Sequence, residues 1–164
     1  MMKTIRVACL LGVMAWVAPA SADDIIWDGG GADNNWDTAE NWSNDVVPTF
    51  FENVFFTSAS SKDCVVTQNQ VVFDFTMTAG YTGTLSIFNG PILTISGDMS
   101  VEGGTINKFG SQPPIIIEGN LEVSGGTVLW TRTDITGNVL ISGGSVTWKG
   151  FHTFFGDYTR TWAR

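Results

Sequence analysis

Three stretches of this chain can be laid beneath one another without a gap: residues 95–106, 117–128 and 135–146. Each reads apolar, any, Gly, Asp or Asn, apolar, any, apolar, any, Gly, Gly, Thr or Ser, apolar. The offsets are 22 and then 18 residues. A repeat near that length, with apolar residues at strand spacing, predicts a solenoid in which each copy is one coil. One coil cannot bury its own apolar face, so neighbours must stack. Four inward columns follow: Ile95/Ile117/Ile135, Met99/Leu121/Val139, Val101/Val123/Ile141 and Ile106/Val128/Val146. Gly97, Gly119, Gly137 and the Gly-Gly pairs mark corners, where a side chain would clash or φ must be positive. Asp98, Asn120 and Asn138 follow the first corner and can bond turn backbone. The four extra residues of the first interval fit a loop around Gly110-Ser111-Gln112-Pro113. The predicted fold is all-β, a right-handed parallel β-solenoid (β-helix). The hand rests on the general chirality of parallel crossovers.

The rest of the chain fits around this array. Upstream, 54–56, 65–67, 71–77 and 84–87 are short β-rich runs separated by turn residues, and the chain shows no helical periodicity beyond its N-terminus. Residues 23–50 carry Asp, Asn, Gly and Trp but no Lys or Arg, and predict an N-terminal cap. Downstream, 154–158 opens a fourth coil at an offset of 19, but Arg160 falls where an apolar residue belongs. The predicted division is therefore a leader over 1–22, a cap over 23–50, coils over 51–148 and a degraded or incomplete coil over 149–164. The decayed end points to a longer parent array, a truncated product, or an end that pairs with a partner or a second copy.

Residues 1–22 read as a secretory signal. Lys3 and Arg6 precede an apolar stretch over 7–17, and Ala20-Ser21-Ala22 is a small-residue cleavage site. The stretch is too short to span a bilayer, and no second candidate follows, so the mature chain is expected to start at Asp23 without a membrane span. Cleavage leaves six basic residues against sixteen acidic ones, a net charge of −10. That argues against nucleic acid and anionic lipid as partners. Charged residues are only 15% of the chain, and Gly, at 19, is abundant, as an all-β fold with many turns requires. Cys64 alone remains after cleavage and cannot form an internal disulfide. It reads as a small buried hydrophobe, with a reactive thiol as the other option.

Candidate chemistry is sparse. Trp27, Trp36 and Trp42 can stack on sugar rings as a carbohydrate site, or fill the solenoid end as a plug. Asp28, Asp33 and Asp37, with Asn34, offer oxygen ligands for Ca²⁺ beside the Gly29-Gly30-Gly31 turn, though their spacing matches no EF-hand loop. Otherwise they are polar turn residues, and no other cofactor is expected. Lys108, Trp130 and Trp148 share one coil position and read as packing or as a sugar-binding strip. Asn41-Trp42-Ser43 matches a glycosylation acceptor. His152 is the only histidine, and no nucleophile elbow, metal-binding His pair or phosphate loop is present. Glu118 and Glu122 form one carboxylate pair that does not recur in the other coils. Thr76/Thr78 and Thr131/Thr133 make rows of the kind that bind ice, but out of step with the repeat. No catalytic residues are assigned.

Trp27-Asp-Gly-Gly-Gly31, Asn35-Trp36, Asn41-Trp42-Ser43 and Pro48, with Phe75-Thr-Met-Thr-Ala-Gly-Tyr-Thr-Gly-Thr-Leu85 and the Gly-Gly-Thr coils, resemble the opening of large secreted bacterial proteins with autotransporter-passenger-like β-solenoids. The likeness covers roughly 25–148. It implies a secreted or cell-surface location and a structural or adhesive role, with extracellular glycans or surface components as partners. The chain departs from the group in being short and in lacking a C-terminal outer-membrane barrel or sorting tail. A carbohydrate-binding module using the Trp cluster is the runner-up. A polysaccharide-acting enzyme comes third.

Overall fold

A computed structural model describes residues 22–88, 90–110 and 113–161. The expected leader, Ala22 excepted, lies outside the described residues, as do Asn89, Ser111 and Gln112. The protein is all-β, with parallel sheets wound into a β-solenoid of about five turns. Its first sheet holds β1 (Asp23–Trp27), β2 (Glu52–Phe56), β5 (Phe75–Met77), β8 (Met99–Val101), β11 (Leu121–Val123), β13 (Val139–Ile141) and β15 (Tyr158–Arg160), in that order. β3 (Cys64–Val66), β6 (Thr84–Ile87) and β9 (Thr105–Lys108) form a second face. A third is made of β4 (Gln70–Val72), β7 (Leu93–Ile95) and β10 (Ile115–Ile117). The long strands β12 (Thr127–Ile135) and β14 (Ser145–Phe154) run across both of these faces and join them.

Each short strand is three to five residues with inward residues alternating with outward ones, the period that a pleated strand imposes. The four columns expected from the repeat are formed. Met99, Leu121 and Val139 are register partners, as are Val101, Val123 and Ile141. Ile95, Ile117 and Ile135 stack, and so do Ile106, Val128 and Val146. All of them are buried. Each such side chain contributes roughly 1.5–3 kcal/mol through burial. Strand pairing among the described residues runs between adjacent coils, so the core is a column rather than a ball.

Backbone chemistry at the corners locks the stack. The amides of Gly97, Gly119 and Gly137 donate to the carbonyls of Phe73, Gly97 and Gly119, at 2.8, 3.0 and 3.0 Å. Beside them runs a side-chain ladder. Asp74 Oδ1 accepts from the Asp98 amide at 2.8 Å, and Asp98 Oδ1 from the Asn120 amide at 2.7 Å. Asn120 Oδ1 accepts from the Asn138 amide, and Asn138 Oδ1 from the Asp157 amide, both at 2.9 Å. The sequence predicts that these side chains bond turn backbone, and they do. The structure places these bonds between coils, because stacked corners bring each side chain under the next amide.

One expectation is corrected. Residues 71–77 are not one strand: Phe73 and Asp74 form the corner between β4 and β5. The third coil continues in β14 as far as Phe154. The next coil then opens at β15, with Tyr158 beside Val139 and Arg160 beside Ile141. In the interval of 22 residues β9 ends at Lys108 and β10 begins at Ile115, and Phe109, Gly110, Pro113 and Pro114 belong to neither strand. In the two shorter coils that follow there is no such break, and β12 and β14 pass straight through the corner, with a register shift between Trp130 and Arg132.

Candidate functional site

The N-terminal segment covers the first coil. The Trp36 amide donates to the Val65 carbonyl at 2.9 Å, and the Val65 amide to the Asn34 carbonyl at 2.8 Å, so the free edge of β3 is satisfied. The edge of β1 is covered as well: Trp27 bridges Trp42, and the Ser43 amide donates to the Ile26 carbonyl at 2.9 Å. Trp27, Trp36 and Trp42 are fully buried. Their rings meet edge to face at 5.1 and 4.7 Å, and they rest on Phe56. An indole must present a face to stack on a sugar, so these three are the plug and not an exposed platform.

The organiser of the cap lies outside it, at Lys62. Its Nζ donates to the carbonyls of Gly29 and Gly31 and to Asn41 Oδ1. Its own carbonyl accepts from Trp27 Nε1 at 3.0 Å and Tyr81 Oη at 2.7 Å. Nothing in the sequence signals this, because Lys62 sits in a polar run far from the Gly turn. Asn41 is buried, with Nδ2 donating to the carbonyls of Asp33 and Asn35 and Oδ1 accepting from the Gly31 amide. An amide so engaged cannot be a glycosylation acceptor in the folded chain.

The three candidate calcium ligands serve separate turns. Asp28 Oδ1 accepts from the Gly30 amide at 2.9 Å. Asp33 accepts from the amide of Asn35, which holds its carboxyl below the usual carboxylate range. Asp37 accepts from Gln70 Nε2 at 2.6 Å and Thr67 Oγ1 at 3.0 Å, tying the cap to the first coil. Among the described residues no group of three His, Cys, Asp or Glu side chains is arranged to hold a metal ion. Asp28, Asp33 and Asp37 are therefore corrected from calcium ligands to turn and cap residues.

Other reactive groups are built into packing. Cys64 is fully buried, and burial pushes its thiol well above the ordinary range. Thiol reagent should label it only at the rate of unfolding. Full labelling within minutes in buffer alone would show that this wall opens. His152 packs edge-on to Trp148 at 4.8 Å, and burial lowers its pKa below the usual imidazole value. Glu122 faces outward between Ser100 and Leu140. Thr133 is buried, so the row it forms with Thr131 is not an outer face.

The described residues also line surface concavities. One, about 330 Å³, lies over the first sheet beside Asp74, Asp98, Asn120 and Glu122, where the corner ladder already uses Asp74, Asp98 and Asn120. Another, about 260 Å³, lies where β9 ends. Asn107, Lys108, Phe109, Trp130, Thr131 and Lys149 line it. No protein family, curated protein or solved structure matches the chain.

Proposed function

We propose that the mature chain is a secreted or cell-surface structural and adhesive element. What supports the reading is the continuous column with its corner ladders. The stack fixes inward and corner residues and leaves the outward ones free. The outward row of the first sheet runs Phe55, Thr76, Ser100, Glu122, Leu140 and Thr159, and so shows no chemical repeat. A stiff rod with a free surface suits display and spacing. The leader over 1–22 and the acidic mature charge accord with an extracellular place. Self-association, in this reading, runs through the last coil, where Phe151 is 85% exposed and Phe155 74%.

Expression with the native leader in a bacterial host tests the first half. The expected result is a chain outside the cytoplasm whose mass and N-terminus correspond to a start at Asp23. An uncleaved cytoplasmic chain overturns secretion. Labelled mature chain is then incubated with bacterial and host cells; retention on neither overturns adhesion.

A further inference from the structure

Lys108 occupies an inward position that neighbouring coils fill with apolar groups. Its column runs Ile87, Lys108, Trp130, Trp148. Only 1% of the residue is exposed. Burying an ammonium group is costly unless hydrogen bonds satisfy it. Its Nζ donates to the carbonyls of Phe88 at 3.2 Å and Phe109 at 2.9 Å. These are two of the three bonds the group can make. No carboxylate pairs with it among the described residues, and burial lowers its pKa.

The 260 Å³ cleft opens beside this lysine. Lys149, two coils on, supplies a second ammonium at its rim, and none of the lining residues is acidic. In a mature chain of net charge −10 this is a local reversal of sign. Asn107 offers an amide. Thr131 Oγ1 shares its one proton between the carbonyls of Lys108 and Gly110, and its lone pairs can accept. At the edge of the cleft Phe109 lies flat on Phe88, with centroids 5.1 Å apart and planes 8° apart. Both rings are close to half exposed, at 41% and 49%. An exposed aromatic pair, a rim cation with a second buried behind the wall, and two polar groups at one small concavity fit a ring with an apolar C–H face, hydroxyls and one negative group.

We propose that the Lys108–Lys149 cleft binds an acidic saccharide unit, a sugar ring bearing a single carboxylate or sulfate. A long polyanion is disfavoured, because the rest of the surface is acidic and repels it. The site replaces the buried tryptophans as the place where carbohydrate meets the chain. It does not depend on secretion: purified protein binds the saccharide wherever the cell keeps it.

Calorimetric titration of the purified chain tests this with four probes: a trigalacturonate, a sulfated disaccharide, a neutral trisaccharide and adenosine monophosphate. The expected result is binding of one or both acidic saccharides, weakened by added salt, with little heat from the neutral probe. Whichever acidic probe binds identifies the negative group. Lys149→Gln changes an exposed side chain, should melt like the parent, and should weaken binding about tenfold or more through loss of a charge-assisted contact. Phe109→Ala should weaken it as well. Lys108→Met keeps the inward stem while removing the charge, and serves if it melts as a folded chain. No binding of either acidic saccharide overturns the proposal, as does unchanged affinity in Lys149→Gln. Adenosine monophosphate bound as tightly as the saccharides overturns the sugar assignment.

Discussion

Gly126→Val abolishes cooperative folding. Gly126 has φ +68°, in the left-handed region, and a Cβ added there would lie 2.3 Å from the Gly103 carbonyl oxygen and 2.7 Å from its carbon. That neighbour is backbone of the coil below and cannot rotate away. A β-branched residue at positive φ costs about 1–3 kcal/mol before any clash. Separating two coils to relieve the contact then breaks the Thr127-to-Gly104 amide bond of 2.9 Å and the registers on either side. The total reaches the whole stability of an ordinary domain, about 5–15 kcal/mol. The contrast is Gly90→Ala. Gly90 has φ +118° but nothing within 4 Å of an added Cβ. That change should cost only about 1–2 kcal/mol, or roughly 5 °C in melting temperature. Circular dichroism melts of both variants check the pair. A Gly126→Val chain melting within about 5 °C of the parent would contradict the stacking of these corners.

The same corners explain how much of the fold was legible. From residue 95 onward the coils announce themselves, because Gly-Asp/Asn and Gly-Gly-Thr are forced by backbone lying on backbone. Few residue types satisfy that geometry, so the pattern survives in the sequence. Earlier coils have looser corners. Thr78, Ala79 and Gly80 turn the second of them, and Phe73-Asp74 turns at a place that reads as strand. Their inward positions also admit Cys64 and Gln70, which blur the apolar spacing. The candidate sites were less legible still. Composition singled out Trp27, Trp36 and Trp42 but could not say which way an indole points. Burial depends on Lys62, which lies outside the cap and bonds the Gly turn through space. The sequence did place Lys108 in one column with Trp130 and Trp148. It could not show that a cleft opens there, because that follows from β9 ending at Lys108 while Trp130 lies within the continuous β12.

Trp36→Ala should loosen the cap and leave the far end intact. The indole is fully buried, 4.7 Å from the Trp42 centroid and 6.1 Å from that of Phe56. Its Nε1 has no hydrogen-bond partner among the described residues, so the substitution removes packing alone. A buried Trp→Ala change costs about 3–5 kcal/mol. Trp42→Ala should cost more, since Trp42 Nε1 also donates to the Trp36 carbonyl at 2.7 Å. In a solenoid the loss stays local, because each coil touches only its neighbours. Hydrogen exchange resolves this by position. Amides of Ile25–Trp27 and Cys64–Val66 should lose protection, while those of Val139–Ile141 keep it. With the cap open, the edges of β1 and β3 offer unpaired backbone to other chains, and the variant should aggregate at concentrations the parent tolerates. Unchanged protection at both ends would mean that the plug contributes nothing. Loss of protection throughout the chain would mean that the cap nucleates the column rather than closing it.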